Sequence, residues 1–323
     1  MKKITVVGAG NVGATCVHEI ALRDLCEELV VVDVNEGASK GKALDIQEVA
    51  PLHRFNAKVI GAGNNYELSA GSGLVVLTAG VPRKPGMSRD DLIGTNAKIM
   101  KEVVTQVVRY SPDCIILVVT NPLDVMTYAA LLASGRPSNK VFGMAGVLDS
   151  ARYRTFIAQE LHVSPMDVQA LLIGGHGDSM VPLPRYTNVG GIPVLELIEE
   201  KRLNEIVART QKGGGEIVNL MGTSAWYAPG ASVAEMVEAV VRNQHRVLSV
   251  CAPLNGEYGM SNLHLGVPVV LGEQGVERVI DLKLDEHERA LLRKSAESVK
   301  KVMCALDDMN LFDKKFGRLP LDA

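Results

Sequence analysis

Short apolar runs rich in β-branched residues alternate with longer segments of helical spacing over about the first 145 residues of the chain. Each run has the length of a buried strand, and each segment that follows is long enough for a crossover helix. Strands joined by helical crossovers pair in parallel and are covered on both faces, so their sequences can be apolar almost throughout. We therefore predict a parallel sheet with helices on both sides.

The pattern predicts six strands in this half of the chain, at 4–7, 29–34, 58–61, 74–78, 115–120 and 140–143. Helices are predicted between them at 12–22, 40–50, 91–109 and 123–132. In the second half, helices are predicted at 150–161, 196–210, 214–221, 232–249 and 285–308, with mixed strands and turns at 168–187 and a hairpin at 250–272. The fold class is thus α/β, a doubly wound parallel sheet in residues 1–145 followed by an α+β domain in residues 146–323. Two domains are the usual expectation for 323 residues.

Composition argues against several kinds of partner. Thirty-four basic and 37 acidic residues leave a net charge of −3, whereas nucleic acids and anionic membranes call for a clustered basic excess. The five cysteines are an odd number without a CxxC pair, which is typical of reduced thiols in a cytoplasmic protein. We expect no metal site, no nucleic-acid partner and no membrane partner.

The run Gly8-Ala9-Gly10-Asn11-Val12-Gly13 lies between the first predicted strand and the first predicted helix. In this context Gly8 permits a tight turn, Gly10 lets a pyrophosphate approach the backbone, and Gly13 lets the helix pack on the strand. Asp33 follows the second strand, where a carboxylate can accept hydrogen bonds from ribose hydroxyls and repel a 2′-phosphate. The sequence therefore predicts a Rossmann-type dinucleotide site that prefers NAD to NADP.

A histidine between small residues is the first candidate catalytic group. His176 stands in the run Ile173-Gly174-Gly175-His176-Gly177-Asp178, which offers no bulky neighbours for packing and suits an imidazole presented to a ligand. A structural role remains the alternative for this residue by itself. Asp149 is predicted at a helix N-cap, which would also explain it. Arg152 is predicted in the first turn, where its charge opposes the helix dipole, so we expect it to serve a ligand.

Two further segments leave the carboxyl ends of predicted strands, where open α/β sheets bind their ligands. The segment 79–89 follows the fourth strand, carries Arg83 and Arg89 among prolines and glycines, and is predicted to be a mobile lid. A solvated basic loop is the alternative. Asn121 follows the fifth strand and offers an amide to a bound oxygen.

Six features occur in one order along residues 8–178: GAGNVG, the acidic Asp33, AGVPRKPGMSR, TNP, LDSAR and GGHGD. Together they resemble the lactate/malate dehydrogenase superfamily over essentially the whole chain. Within it the chain resembles the lactate-dehydrogenase-like malate dehydrogenases, mainly because of Arg83. The resemblance implies an NAD-binding Rossmann domain, a catalytic domain and reversible hydride transfer between (S)-malate and NAD⁺ that gives oxaloacetate and NADH.

The resemblance also implies roles for individual residues. His176 would be the acid/base and Asp149 its orienting carboxylate. Arg152 would bind the C1 carboxylate of the substrate, Arg89 would polarise its carbonyl, and Asn121 would hydrogen-bond the same oxygen.

The remaining implications concern the cofactor and assembly. Backbone at Val119, Thr120 and Asn121 would border the nicotinamide, and Asn96 would lie near the cofactor. A cis peptide bond is implied before Pro122. Relatives form oligomers, so a homodimer or homotetramer is expected, with malate or oxaloacetate as the small-molecule partner.

Arg83 decides between the competing substrates, because lactate-specific relatives carry a neutral glutamine at the matching position. A buried cation demands a second carboxylate, since an unpaired charge in a closed pocket costs several kcal/mol. A lactate or other 2-hydroxyacid dehydrogenase is therefore the alternative enzyme. The non-enzyme alternative is an NAD-binding sensor without turnover, which would be expected to lack His176, Asp149 or Arg152.

Overall fold

A computed structural model describes residues 1–82 and 88–322, apart from the side chain of Arg89. The strands of the first half are β1 (Lys3–Val7), β2 (Glu28–Val32), β3 (Lys58–Gly63), β4 (Leu74–Leu77), β5 (Ile115–Val118) and β6 (Val141–Gly143). Its helices are α1 (Asn11–Leu22), α2 (Glu36–Glu48), α3 (Ala50–His53), α4 (Arg89–Tyr110) and α5 (Leu123–Ser134). The six predicted strands and four predicted helices are confirmed, and α3 is an additional single turn.

The six strands pair in parallel in the order β3-β2-β1-β4-β5-β6. β1 is central, with Ile4 opposite Leu29 of β2 on one side and Leu74 of β4 on the other. From β1 the chain proceeds outward to β2 and β3, and it then returns to the other side of β1 to form β4, β5 and β6. The loops that follow β1 and β4 therefore diverge. This divergence opens the crevice in which doubly wound sheets bind their ligands.

The second half contains the helices α6 (Gly146–Leu161), α7 (Val194–Leu197), α8 (Glu200–Met221), α9 (Tyr227–Val241) and α10 (Glu286–Asp308). Its short strands are β7 (Val168–Gln169), β8 (Leu172–Ile173), β9 (Val181–Pro182), β10 (Asn188–Val189) and β11 (Ile192–Pro193). Three longer strands follow, β12 (Arg246–Asn255), β13 (Ser261–Gly272) and β14 (Gly275–Val279). The mixed region and the terminal helix agree with the prediction.

The first sheet continues into the second half of the chain. β12 and β13 form the predicted antiparallel hairpin, and β12 extends the edge of β6 where Cys251 lies opposite Gly143. With β14 the sheet has nine strands. The main apolar core likewise draws residues from both halves, and the predicted division at residues 145 and 146 stays a prediction.

Three predicted helices are wrong in detail. The helix predicted at 232–249 ends at Val241, because Asn243 and His245 have φ angles of 47° and 50°, outside the right-handed helical region. The residues after this break belong to β12. The helices predicted at 196–210 and 214–221 form one helix, α8, which continues through three consecutive glycines.

No helix in the described part of the chain combines the length and apolar character needed to cross a bilayer.

Helices α1 and α9 pack so closely that one glycine lies at their contact. A Cβ atom on Gly230 would lie 2.5 Å from Thr15 Cγ2 and 3.0 Å from the Thr15 backbone carbon. Since backbone cannot yield as a flexible side chain can, the two helices would have to separate.

We expect Gly230→Ala to destabilise the protein by about 1–3 kcal/mol, measured as a lower midpoint of urea unfolding. Gly41→Ala is the matched control, because Gly41 lies within α2 and no described atom would lie within 4 Å of its added Cβ. That control should gain up to about 1 kcal/mol from better helix propensity. Equal midpoints for the two variants would contradict the close packing.

Candidate active site

The three glycines of the loop between β1 and α1 are required for three different reasons. Gly8 has a φ of 108°, which a side chain would strain. A Cβ on Gly13 would overlap the carbonyl oxygen of Gly8, so only glycine lets α1 begin this close to the strand. Gly10 precedes α1, and no described atom lies within 4 Å of where its Cβ would be. A ligand can therefore approach the loop at Gly10.

The start of α1 provides donors for an anion. This helix has no acidic residue in its first turn and no side-chain cap among the described residues. Its first N–H groups are thus available to a phosphate, which the helix dipole also favours. The loop borders a cavity of about 630 Å³. The cavity is lined both by this loop and by the carboxylate of Asp33. These residues fit a dinucleotide, which needs donors for its phosphates and an acceptor for its ribose hydroxyls.

Asp33 accepts two backbone hydrogen bonds. One of its oxygens accepts from the Ala9 N–H at 2.6 Å, and the other accepts from the Asn35 N–H at 2.7 Å. The glycine loop and the end of β2 are tied together by these bonds, so the carboxylate has a defined orientation. Lys42, which sequence reasoning missed, donates from α2 to the Ala9 carbonyl at 2.7 Å.

Asn96 is buried and forms hydrogen bonds with two loops. Its side-chain oxygen accepts from the Val81 N–H at 2.8 Å, and its amide nitrogen donates to the Asn121 carbonyl at 2.7 Å and the Val81 carbonyl at 3.2 Å. Asn96 therefore holds the chain after β4 against the chain after β5. Thr120 adds a second tie by donating to the Ala79 carbonyl at 2.7 Å. The predicted cofactor contact of Asn96 stays a prediction.

The loop after β5 carries three further predicted site residues. Val119 and Thr120 are buried, whereas Asn121 is exposed. The peptide bond between Asn121 and Pro122 is cis, as the resemblance implied. Asn121 and His176 line the same cavity of about 340 Å³. The structure thus brings together the amide and the imidazole, which come from opposite halves of the chain.

His176 and Asp149 form a direct pair. The Nδ1 atom of His176 lies 2.8 Å from one carboxylate oxygen of Asp149, which is buried. The prediction that Asp149 is an N-cap is wrong: α6 begins at Gly146, so Asp149 projects from its first turn. The imidazole keeps 16% of its surface exposed and can reach a ligand.

Arg152 contacts the same carboxylate as His176. Its guanidinium lies 3.1 Å from the second Asp149 oxygen, and its Nε atom is buried with no partner in the described structure. The prediction that Arg152 lies in the first turn fails for the same reason as the N-cap. Gly213 of α8 faces Arg152, because a Cβ on Gly213 would lie 3.2 Å from Arg152 Cδ. The glycine run of α8 therefore makes room for this arginine.

Asp124 is a carboxylate that the sequence analysis overlooked. It lies in the first turn of α5, and its Oδ2 accepts from the backbone N–H of His176 at 2.9 Å. Its Oδ1 is buried and has no partner among the described residues. Burial raises the pKa of Asp124 to about 6. The available signal was an acidic residue inside an otherwise apolar helix, three residues after Asn121 in a predicted site loop.

The two carboxylates control the protonation of His176. Burial disfavours the imidazolium, but the charges of Asp149 and Asp124 outweigh burial and the repulsion from Arg152, so the pKa of His176 is raised. A histidine with this environment can hold a proton near neutral pH and release it to solvent or ligand.

The side chains of two predicted site residues, Arg83 and Arg89, are not described by the structure. Arg83 lies outside the described residues. Arg89 is the first residue of α4, and its side chain is not described. The preceding Ser88 caps α4 by accepting from the Asp91 N–H at 3.0 Å, which fixes where this helix begins.

Comparisons with known proteins agree over both halves of the chain. The family model for the lactate/malate dehydrogenase NAD-binding domain matches residues 2–143, and that for the lactate/malate dehydrogenase alpha/beta C-terminal domain matches residues 146–308. A malate dehydrogenase of Cytophaga hutchinsonii is 57% identical over 95% of this chain and 98% of its own length. A malate dehydrogenase of Bacillus subtilis is 54% identical over 94% and 98%.

Solved structures show the same likeness. Malate dehydrogenase from Salinibacter ruber superposes with a TM-score of 0.92 and 53% identity, covering 95% of this chain and 98% of that one. Lactate dehydrogenase from Cryptosporidium parvum, complexed with lactic acid and nicotinamide adenine dinucleotide, superposes with a TM-score of 0.90 and 38% identity, covering 95% and 98%.

We expect Asp124→Asn to lower the pKa of His176, because the amide can still accept from the His176 N–H but no longer attracts the imidazolium. The measurement is an NMR titration of the labelled imidazole, assigned with a His176→Gln variant.

Asp307→Asn is the control, since Asp307 is another buried carboxylate that instead accepts from Tyr128 and Gly317. An unchanged His176 titration in Asp124→Asn would show that Asp124 only supports the backbone.

Proposed function

This chain belongs to the lactate/malate dehydrogenase family, and we propose that its candidate active site carries out the family's hydride transfer with the residues described above. The activity is reversible hydride transfer between (S)-malate and NAD⁺, which gives oxaloacetate and NADH. The observation that supports the assignment of residues is the row Arg152, Asp149 and His176 beside the cavity that Asn121 lines.

His176 is proposed as the acid/base. Because Nδ1 lies beside the carboxylate of Asp149, the neutral imidazole carries its proton on Nδ1. The Nε2 atom is then left to exchange a proton with the C2 oxygen of the substrate. In malate oxidation neutral His176 accepts the hydroxyl proton, and bound NAD⁺ supplies the acceptor for the C2 hydride. Asp149 and Asp124 stabilise the imidazolium that forms. In the reverse direction, protonated His176 polarises the carbonyl of oxaloacetate.

Arg152 is proposed to bind the C1 carboxylate. Its buried Nε–H has no partner in the described structure, and a buried donor left unmet is costly. A substrate carboxylate would meet this donor in a bidentate pair and would also fix the distance of C2 from His176. The glycine run of α8 leaves room for the side chain of Arg152.

The other substrate contacts rest on the family resemblance. Arg89 is proposed to polarise the carbonyl, with Asn121 bonding the same oxygen. Arg83 is proposed to bind the second carboxylate of malate, which selects a diacid over lactate. At the cofactor end, the glycine loop and Asp33 are proposed to bind the pyrophosphate and the adenosine ribose.

We also propose that the enzyme works in the cytoplasm as a homodimer or homotetramer, with a nucleotide domain in residues 1–145 and a catalytic domain in residues 146–323. All five cysteines are free and four of them are buried, which suits a reducing compartment.

The proposed role of Arg83 predicts a change of substrate. In assays that follow NADH absorbance, the wild-type enzyme should use oxaloacetate far better than pyruvate. Arg83→Gln should shift the ratio of kcat/KM values toward pyruvate by on the order of 10²–10⁴, because the neutral amide no longer demands a second carboxylate.

Arg83→Lys is the control, since it keeps the charge and should retain the preference for oxaloacetate with a weaker KM. Wild-type discrimination in Arg83→Gln would refute the role of Arg83. Failure of the wild-type enzyme to oxidise NADH with either acid would overturn the proposed catalytic residues as well.

The position of Asp33 predicts the choice of cofactor. We expect Asp33→Ser to raise the ratio of NADPH to NADH in kcat/KM by at least about tenfold, because repulsion of the 2′-phosphate is removed. NADH binding should weaken in the same variant, since the Ala9 N–H loses its acceptor. Asp33→Glu keeps the charge and should not gain NADPH activity. A gain in both variants would contradict the electrostatic explanation.

A further inference from the structure

Six buried side-chain polar atoms have no partner in the described structure, and five of them fall into two groups. The sixth is the hydroxyl of Tyr153, which packs in a separate apolar cluster. Asp124 Oδ1 and Arg152 Nε lie in the candidate active site, where a ligand and its waters are expected. Arg136 Nε and both ring nitrogens of His264 form a second group. Both of these residues line one cavity of about 360 Å³, which we call the His264 cavity.

The His264 cavity is separate from the active site. It lies at the C-terminal end of α5, where Leu131, Leu132 and Arg136 contribute to its wall. Asp124 and the substrate end of the site lie at the other end of the same helix, which has 12 residues and is about 18 Å long. A ligand in one cavity would not occupy the other.

His264 is the central polar group of the cavity. It lies on β13 with 3% of its surface exposed, and its ring is 5.9 Å from the ring of Tyr128. Burial lowers the pKa of His264 to about 4, so the imidazole is neutral and carries one N–H donor and one acceptor.

The neighbouring hydroxyl of Tyr128 does not serve His264. Tyr128 donates to Asp307 at 2.8 Å and accepts from the Phe316 N–H at 2.6 Å. The single proton of this hydroxyl is therefore in use, and neither ring nitrogen of His264 has a partner in the described structure.

The charge of the wall selects an anion. Arg136 and Lys314 are cationic, and none of the described residues that line the cavity is acidic. Arg136 already donates to the Pro112 carbonyl and lies 3.5 Å from the exposed Asp113, but its Nε–H is still unmet. A carboxylate could accept from this guanidinium and from the imidazole N–H.

Most of the remaining wall is apolar, and its other polar side chains, Tyr128, Ser138, Asn255 and Asn262, are uncharged. Leu131, Leu132, Pro253, Met303 and Phe316 surround the space beyond the polar groups. A second carboxylate on the ligand would find no further buried cation in the described wall, since Lys314 is exposed, so burying it against the apolar side chains would be unfavourable. The wall therefore suits one acidic head joined to an apolar body.

We propose that the His264 cavity binds a small monocarboxylate with an apolar body, through Arg136 and His264 at its head and the apolar wall at its tail. An aromatic acid and a short-chain fatty acid share this chemistry. The two kinds of acid differ in shape, so separate titrations with one acid of each kind tell them apart.

The test uses the full-length protein saturated with NAD⁺ and malonate, so that the active site is occupied by a diacid without a hydroxyl to oxidise. Benzoate, hexanoate and the neutral benzamide are titrated by isothermal calorimetry. We expect at least one of the two acids to bind with a Kd below about 1 mM and benzamide to bind at least tenfold more weakly.

Variants locate the site. Arg136→Gln and His264→Phe should each weaken binding of the acid at least tenfold, while kcat and KM for oxaloacetate stay at the wild-type values. Arg109→Gln, which removes an exposed arginine on α4, is the control and should leave binding unchanged.

Several results would overturn the proposal. They are an absence of binding by both acids, equal affinity for benzoate and benzamide, and affinity that survives both variants. A crystal soaked with the acid that shows only ordered water beside His264 would do the same. The comparison of benzoate with benzamide needs no variant, so it decides the matter even if a substituted protein fails to fold. None of these results bears on malate oxidation, which is measured separately.

Discussion

The parallel pairing of β1 with both β2 and β4 is the constraint on which the rest of the molecule depends. The register of each strand pair fixes where the paired strands end relative to each other. The glycine loop, Asp33 and the chain after β4 therefore all emerge at the same edge of the sheet. β5 pairs with β4 in the same direction and adds Asn121 at that edge. The part of the candidate site around the glycine loop is therefore set by strand register, and Asn96 and Thr120 join the neighbouring loops across it.

The part of the candidate site around His176 depends on a balance of buried charge. With neutral His176, the group formed by Arg152, Asp149 and Asp124 carries one net negative charge, and protonation of the imidazole neutralises it. This balance explains why the histidine binds its proton more tightly than burial alone would allow. With the proposed roles of Arg152 and His176, a substrate carboxylate at Arg152 would add negative charge beside the proton that His176 exchanges, so binding and proton transfer would be linked.

Much of this arrangement could be predicted from local patterns. The six strands follow from apolar runs, and the glycine loop follows from three glycines whose positions each have a steric reason. The prediction failed where tertiary contacts override local preference. Consecutive glycines favour a break, yet α8 continues through them, and Gly213 faces Arg152 across the contact with α6. Asp124 was overlooked for a related reason: its partner is the backbone of a residue 52 positions away, and no spacing rule reveals such a contact.

The nine-stranded sheet has a consequence for how the chain can be divided. β6 ends the parallel part, and its other edge is covered by β12 from the second half. A fragment that stopped after β6 would expose a fully buried, apolar strand edge to water, which is a template for intermolecular pairing. Residues that look like a separate nucleotide-binding module would thus be prone to aggregate when expressed alone, and cooperative unfolding of both halves is the expected behaviour of the intact protein.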